Sequence, residues 1–219
     1  MELRTTGYDP RYKDSCVRLI GETWDLRRIL PEAPNPRVIE ELFFSEATLD
    51  ANYAELIIDE AGEVHGYLFG IIRGAPRGGV RAALRSAGAV LRAVGRFLSG
   101  ALGPRRRAAA TIRSLLGMLR SLDALRKDDD AYVSLFIVGA GLRGQGWGRR
   151  LLDGYRAKAA AYGSNRLYLW TDKGCNYGFY DRMGFERIKE IESPFLAANG
   201  AGPNGFVYAL PVDDGAAAV

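Results

Sequence analysis

The feature that most restricts the fold is a cluster of glycines between a buried strand and a helix. The stretch AYVSLFIV, residues 131–138, is apolar enough for a buried strand, and Leu151, Leu152 and Tyr155 have helical spacing. Glycines at a helix start let the backbone approach a ligand closely, and the unpaired N–H groups there bind anions. The sequence therefore predicts a phosphate site on this strand-to-helix turn, which contains Gly141, Gly144, Gly146 and Gly148.

Two common phosphate-binding loops do not fit this turn. A Rossmann dinucleotide loop has a different glycine spacing and needs an acidic residue on a second strand about 20 residues later. A Walker loop needs a Lys-Ser or Lys-Thr pair after its last glycine, but Gly148 is followed by two arginines. The turn therefore belongs to another class of phosphate site.

Histidine and cysteine counts exclude further classes of site. His65 is the only histidine, and the two cysteines, Cys16 and Cys175, lie far apart in the sequence. A histidine-rich metal site and a zinc cluster both lack ligands, so we expect no metal in the chemistry. Two cysteines cannot form a disulfide framework, and MELRTTGYDP lacks the apolar core of a signal peptide. These observations predict a reducing, cytoplasmic location.

The flanking segments predict a sheet covered by helices within one domain. Of the 219 residues, 47% are hydrophobic and 26% are charged, as in ordinary globular proteins. Two short helices precede a β-hairpin formed by YAELIIDE and VHGYLFGIIRG. After the glycine turn come the strand RLYLW, a short helix from Asn176 to Met183 closed by Gly184, and the strands ERIKEIES and NGFVYAL.

Residues 76–127 differ in composition from the rest of the chain. They contain 12 of the 30 basic residues and a single acidic residue, a net charge of +11, whereas the remaining residues carry −7. Apolar residues recur at steps of three and four on both sides of Gly103-Pro104. The pattern predicts an inserted, arginine-rich helical hairpin. Its first apolar stripe contains Val80, Leu84, Ala87, Leu91, Val94 and Leu98, and its second contains Ile112, Leu115, Leu116, Leu119 and Leu122.

Two motifs of this chain resemble the GNAT superfamily of acetyl-CoA-dependent N-acetyltransferases. The first is Arg143-Gly144-Gln145-Gly146-Trp147-Gly148, which matches the family signature Gln/Arg-x-x-Gly-x-Gly/Ala on a strand-to-helix turn. The second is an Asn followed by a Tyr four residues later and then Gly-Phe, present as Asn176, Tyr180, Gly184 and Phe185. The resemblance implies a single α/β domain over residues 1–219, with a mixed, mostly antiparallel sheet flanked by helices and the hairpin 76–127 inserted.

The resemblance also implies a binding site for acetyl-CoA, with no metal. The turn holds the pyrophosphate through the main-chain amides of Arg143, Gly144, Gln145, Gly146, Trp147 and Gly148. Pantetheine lies along Phe136, Ile137 and Val138, where two strands splay apart and backbone amides polarise the thioester carbonyl. By the same analogy, Asn176 contacts the pantetheine arm, and Tyr180 lies near the sulfur and protonates the leaving thiolate.

The implied reaction is direct attack of a primary amine, from a small molecule or a peptide, on the thioester. Cys175 is a competing nucleophile, but an activated Cys-His pair is disfavoured because His65 is the only histidine. No motif fixes the base that takes the ammonium proton, and the candidates are Glu22, Asp25, Glu40, Glu41 and Asp172. The alternative function is a catalytically silent acyl-CoA-binding module that docks on a partner or an anionic surface through the hairpin.

Several features leave the acceptor and the hairpin open. Residues 1–66 carry a net charge of −7, which favours a cationic amine, and Trp24, Tyr53 and Tyr67 are candidates either for an acceptor pocket or for the core. Relatives have a proline and an acidic residue where this chain has Ala140 and Gly141, which predicts weaker coenzyme binding. For the hairpin we expect first that its apolar stripes pack on each other and on the body, second a homodimer, and third contact with a membrane surface or nucleic acid.

Overall fold

The computed structural model describes residues 2–76, 79–123, 130–193, 196 and 202–212, and its centre is one seven-stranded sheet. The strand order across the sheet is β1-β2-β3-β4-β5-β7-β6. The strands are β1 (Arg4–Thr6), β2 (Tyr53–Ile58), β3 (Val64–Ile72), β4 (Asp130–Val138), β5 (Arg166–Asp172), β6 (Glu186–Ile191) and β7 (Gly205–Pro211). The helices are α1 (Lys13–Thr23), α2 (Pro36–Ala47), α3 (Gly79–Leu98), α4 (Arg105–Asp123), α5 (Trp147–Ala161) and α6 (Gly178–Arg182).

The sheet is mixed and mostly antiparallel, which confirms the predicted fold class. Among the described pairings only β4 and β5 run parallel, and they are joined by the turn that leads into α5. The predicted β2–β3 hairpin is present, with Tyr53 paired to Gly70 and Leu56 paired to Tyr67. The edge strand β1 was not predicted, because three residues are too short to display an alternating pattern.

Each face of the sheet carries its own core. On one face, α5 packs through Leu151, Leu152 and Tyr155 against side chains of β3, β4, β5 and β7. On the other face, α1 and α2 cover the N-terminal half of the sheet, and Ile20 and Phe44 are buried there. Because both faces are covered there, the central strands β3, β4 and β5 are nearly continuous apolar runs, as the sequence indicated.

A bulge in β4 changes the direction of its side chains. Phe69 pairs with Leu135 and Gly70 pairs with Val133, so Ser134 is an extra residue on β4. Val133 consequently lies in the core under α5, whereas Leu135 lies in the core under α1 and α2. The bulge stands just beyond the last β4 residue that pairs with β5, which is Tyr132.

Residues 79–98 and 105–123 of the insertion form α3 and α4, and the described part of the α3 stripe does not pack on the body as expected. The opposite side of α3 faces the body: Arg96 forms an ion pair with Glu41 of α2 and donates a hydrogen bond to the Val38 carbonyl at 3.3 Å. The stripe residues Leu91 and Leu98 are 72% and 58% exposed to solvent. The side chains of residues 79–87 and 118–123 lie outside the description, and they include the stripe residues Val80, Leu84, Ala87, Leu119 and Leu122.

The second half of the hairpin is attached more closely to the body. Leu102 and Ala108 are buried, and Arg107 forms an ion pair with Glu32. Gly103 approaches the chain so closely that a Cβ atom there would lie 2.8 Å from the Glu32 carbonyl oxygen. Leu115 packs against the apolar cluster that contains Tyr168 of β5 and Val207 of β7, so α4 touches this part of the sheet.

Candidate active site

The centre of the site is an opening between β4 and β5. The two strands pair only from Asp130 to Tyr132 and from Arg166 to Tyr168, although β4 continues to Val138 and β5 to Asp172. Among the described residues, the remainder of each strand has no ladder partner on the side of this opening. Unpaired strand edges offer N–H and C=O groups to an extended ligand.

The three predicted pantetheine-binding residues lie on the β4 side of this opening. Phe136 and Val138 are partly buried and belong to the apolar cluster under α5. Ile137 is 3% exposed and points into the opposite core, so only its backbone is available to a ligand. The ring centroid of Phe136 is 5.8 Å from that of Phe179 in α6, which places both aromatic rings beside the opening.

The glycine turn follows β4 at one end of the opening. Gly144 and Gly146 have φ angles of 77° and 81°, which only glycine adopts without strain. A Cβ atom at Gly141, Gly144 or Gly146 would contact nothing within 4 Å, so this side of the turn is open. The Gln145 side chain folds back and donates a hydrogen bond to the Gly141 carbonyl at 2.8 Å, which stiffens the turn.

The turn ends at the start of α5, a helix of 15 residues. Gly146 is its N-cap residue and supplies no side chain to pair the first helical amides. The N–H groups of Trp147, Gly148 and Arg149 therefore have no partner inside the helix, and they lie at the positive end of its dipole. Arg143, Arg149 and Arg150 are exposed around them and add positive charge. This set of donors fits a diphosphate.

Tyr180 of α6 lies among aromatic rings at the other side of the opening. Its ring centroid is 5.5 Å from that of Phe179, 5.7 Å from that of Phe185 and 5.6 Å from that of Tyr208. Burial, followed by the Cys175 thiol and the Tyr208 hydroxyl, raises the pKa of Tyr180. The hydroxyl is therefore protonated at neutral pH, and none of the described residues accepts a hydrogen bond from it.

Cys175 lies at the centre of a polar cluster next to Tyr180. Burial and the nearby Asp172 carboxylate raise the pKa of its thiol to about 11, and hydrogen bonds to Thr171 and Trp24 only partly offset this effect. A thiol with this pKa is protonated at neutral pH and a poor nucleophile. The prediction that Cys175 does not attack the substrate is therefore supported by its surroundings.

Asp172 is the candidate base that lies closest to this cluster. Burial raises the pKa of its carboxyl, although the carboxylate also accepts a hydrogen bond from the Gly174 amide at 2.7 Å. A raised pKa makes a carboxylate a better proton acceptor. The structure brings Trp24 next to Cys175, whose other neighbours include Asp172 and Tyr180, although Trp24 lies far from these three residues in the sequence.

The other base candidates are engaged elsewhere on the surface or between helices. Glu22 forms an ion pair with Arg18 at 3.2 Å, and Asp25 forms one with Arg28 at 3.2 Å. Glu41 pairs with Arg96 of the hairpin, and Glu40 packs against Gly21 of α1, so that a Cβ atom there would clash with its carboxylate. The structure brings none of these four carboxylates together with Tyr180.

Two of the aromatic candidates for an acceptor pocket, and the single histidine, contact residues outside the site. Tyr67 is fully buried, and its hydroxyl donates a hydrogen bond to the Cys16 carbonyl at 3.1 Å. The Tyr53 ring packs on Tyr155 under α5, away from the α1 side. His65 contacts Asp59 at 2.9 Å near the β2–β3 turn. Of the three aromatic candidates, only Trp24 reaches the site.

Arg187 holds α6 in place, a role that the sequence did not reveal. Its guanidinium donates hydrogen bonds to the Tyr208 hydroxyl at 2.9 Å and 3.1 Å, and that hydroxyl donates to Asp181 of α6 at 2.8 Å. The guanidinium also lies 4.3 Å from the ring centroid of Phe206. Because Asp181 follows Tyr180 directly, this network fixes the helix that presents Tyr180. An arginine on an exposed strand carries no sequence signal for such a role.

Asn176 is exposed and lies just before α6. Its carbonyl accepts a hydrogen bond from the Phe179 amide at 3.0 Å, so it starts the turn that leads into the helix. The predicted helix from Asn176 to Met183 is shorter than expected, since α6 spans Gly178–Arg182. Gly184 ends this segment with a φ angle of 81°, as predicted for the residue that closes it.

Comparisons with known proteins agree with this geometry. Residues 101–185 match the model of the Acetyltransferase (GNAT) family. A comparison with curated protein sequences gives no match. The matched region contains both motifs that resemble the GNAT superfamily, so the family model supports that resemblance.

Solved structures with the same fold include N-acetyltransferases of different specificity. Arylalkylamine N-acetyltransferase 2 from Aedes aegypti has a TM-score of 0.59 at 11% identity, covering 97% of this chain and 100% of that chain. The ribosomal-protein-S18-alanine N-acetyltransferase from Escherichia coli has a TM-score of 0.56 at 10% identity, covering 100% and 99%. An aminoglycoside 6'-N-acetyltransferase complexed with coenzyme A has a TM-score of 0.52 at 14% identity, covering 96% and 97%. At these identities the likeness concerns the fold alone.

Proposed function

We propose that this protein is an acyl-CoA-dependent N-acyltransferase that transfers the acetyl group of acetyl-CoA to a primary amine of a small molecule or peptide. The observation that carries the proposal is the opening between β4 and β5, with an anion-binding turn at one end and Tyr180 at its side. The acyl donor needs these three features together: a diphosphate site, an extended slot and a proton donor near the sulfur.

The binding roles follow from the surroundings of each residue. The amides from Arg143 to Gly148 hold the diphosphate; those of Trp147 and Gly148 have no partner inside the helix, and the open space around Gly144 and Gly146 admits the ligand. The free edge of β4 along Phe136, Ile137 and Val138 pairs with the amide groups of the pantetheine arm. Asn176 lies exposed at the entrance to α6 and contacts the same arm.

The chemical step is attack of the neutral amine on the thioester carbonyl carbon. A C–N bond forms, the C–S bond breaks, and the electron pair of that bond stays with sulfur. Tyr180 donates its hydroxyl proton to the departing thiolate, and its raised pKa keeps that proton available. Asp172 accepts the proton that the nitrogen loses as the amide forms, directly or through water; it then releases that proton to solvent, and Tyr180 is reprotonated from solvent, so the proton count balances over one turnover.

The acceptor is a cationic amine in this proposal. Asp172 places a carboxylate beside Trp24 at the end of the opening, and the segment 1–66 that carries Trp24 has a net charge of −7. A carboxylate and an indole together stabilise an alkylammonium group before it loses its proton. The acidic surroundings also increase the association rate of a cation at low ionic strength.

The test combines calorimetry with a turnover assay. Acetyl-CoA is titrated into the purified full-length chain, and a panel of primary amines is then screened by release of free thiol. We expect heat on adding acetyl-CoA and thiol release with at least one cationic amine. Absence of binding to acetyl-CoA contradicts the whole proposal, whereas binding without turnover on any amine favours the silent acyl-CoA-binding module.

The role of Tyr180 is tested by Tyr180→Phe against the matched control Tyr177→Phe on the same segment. Loss of the acid lowers kcat roughly hundredfold while KM for acetyl-CoA changes little. The Tyr177 ring packs 4.9 Å from that of Phe206, and its hydroxyl is not assigned a role, so the control retains wild-type kcat. Equal kcat values for the two variants exclude Tyr180 as the acid.

A further inference from the structure

In the part of α3 whose side chains the structure describes, residues 88–98, the apolar face is turned toward solvent instead of the protein. Val90, Leu91, Val94 and Leu98 lie on one side of the helix, and their exposed fractions are 57%, 72%, 48% and 58%. The opposite side is tied to α2 by Arg96. An ordinary surface helix has the reverse arrangement, with apolar side chains inward and charges outward. Four large aliphatic side chains on one exposed face therefore indicate a binding surface.

The second helix of the hairpin also exposes apolar side chains. Ile112 and Leu116 of α4 are one helical turn apart and are 36% and 46% exposed. Arg113 directly follows Ile112, and Arg106 lies seven residues earlier on the same side of α4. We call the exposed aliphatic side chains of the two helices and these two arginines together the exposed hairpin face; it comprises Val90, Leu91, Val94, Leu98, Ile112 and Leu116 with Arg106 and Arg113.

The arginines of the exposed hairpin face are available for an external anion. Arg106 and Arg113 are exposed, and within the described part of the chain neither of them has an acidic partner. By contrast, Arg96 and Arg107, which attach the hairpin to the body, are both paired with glutamates. The paired arginines thus hold the hairpin in place, and Arg106 and Arg113 lie on α4 near its exposed aliphatic side chains.

We infer that the exposed hairpin face binds the surface of an anionic lipid bilayer. Aliphatic side chains of an amphipathic helix insert at the boundary of head groups and acyl chains, and arginines contact the lipid phosphates. In the described residues, no helix has both the length and the apolar character needed to cross a bilayer. The hairpin therefore lies on the surface of the membrane. This inference does not depend on the proposed function.

Charge favours this occupant over a second copy of the chain or a nucleic acid. A symmetric dimer through the exposed hairpin face brings two identical sets of unpaired arginines together, within segments that each carry +11. A nucleic acid neutralises the arginines but leaves Leu91 and Leu98 without an apolar environment. Only an anionic bilayer matches both the charge and the aliphatic side chains.

The experiment is co-sedimentation of the full-length chain with vesicles. One set contains phosphatidylcholine alone, and the other contains phosphatidylcholine mixed with phosphatidylglycerol. We expect binding to the second set only. The double variant Leu91→Gln/Leu98→Gln lowers the affinity at least roughly tenfold, and Arg106→Gln/Arg113→Gln lowers it about fivefold for each charge removed. The control Ile188→Gln changes an aliphatic residue of β6 that is 37% exposed, and it leaves binding unchanged.

Several results overturn the inference. Wild-type protein that stays in the supernatant with anionic vesicles contradicts it directly. If Leu91→Gln/Leu98→Gln leaves the affinity for anionic vesicles unchanged, the contact is electrostatic only, and insertion of the aliphatic side chains is refuted. If vesicles do not bind, sedimentation velocity tests the other occupant. A wild-type dimer that the same leucine substitutions dissociate then assigns the surface to a second copy of the chain. Because Leu91 and Leu98 are exposed, these substitutions retain the fold, which circular dichroism checks.

Discussion

Tyr155→Phe tests the contact that fixes where β4 and β5 separate. Tyr155 is fully buried, and its hydroxyl lies 2.9 Å from the Tyr132 carbonyl and 3.1 Å from the Ile71 carbonyl. Loss of this donor leaves buried carbonyl groups short of a partner and costs about 2 kcal/mol. For a chain of this size, that loss lowers Tm by roughly 4–8 °C. Because Tyr132 is the last β4 residue paired with β5, we also expect a raised KM for acetyl-CoA.

Tyr67→Phe is the matched control for this prediction. Tyr67 is also fully buried, but its hydroxyl donates to one carbonyl, that of Cys16, in the core under α1 and α2. We expect a loss of about 1 kcal/mol in the free energy of unfolding and an unchanged KM for acetyl-CoA. Thermal unfolding and steady-state kinetics measure both quantities. Equal losses of stability together with equal KM values in the two variants refute the role given to Tyr155.

Three further predictions concern the turn and the polar cluster. The pKa of Asp172 is raised in the folded state, so its charged form lowers the stability of the fold at pH values above that pKa. Asp172→Asn therefore raises Tm at neutral pH. The same substitution removes the base, so kcat falls roughly hundredfold and the acid limb of the wild-type pH–rate profile disappears. Gly146→Ala, at a φ angle of 81°, costs about 1–2 kcal/mol of stability, whereas Gly141→Ala, in open space and without a positive φ angle, costs little; chemical denaturation compares them. The Cys175 thiol, with its pKa raised to about 11, reacts with iodoacetamide far more slowly at about pH 8 than a free thiol does, and mass spectrometry follows the alkylation.

The parts of the fold that local sequence determines were predictable. Gly144 and Gly146 adopt positive φ angles between a buried strand and a helix, and the glycine spacing indicates such a turn without knowledge of the rest of the chain. The β2–β3 hairpin and α1, α2 and α5 follow from hydrophobic period in the same way. The prediction for Tyr180 rests on its spacing to Asn176 and Gly184, which is also a local property.

The parts that depend on distant contacts were not predictable. The period of α3 tells which side chains share a face, but the direction of that face is set by Arg96 and Glu41, which lie 55 residues apart in the sequence. The cluster of Trp24, Asp172 and Cys175 exists because the end of α1 meets the end of β5, and no sequence pattern reports such a meeting. The positions of single charged residues in the sequence therefore indicated neither which carboxylate is the base nor which side of the hairpin faces the body.

The way in which the hairpin joins the sheet has a consequence for how the chain is divided. Ile72 and Ala131 are partners in the β3–β4 ladder, so the insertion leaves and re-enters the sheet at adjacent points. A tight turn is sufficient to connect two antiparallel strands at such a point, and the entropy of closing a longer loop grows only slowly with its length. The hairpin is thus an insertion that the sheet topology does not require, and its surface can be altered without changing the strand order that forms the opening between β4 and β5.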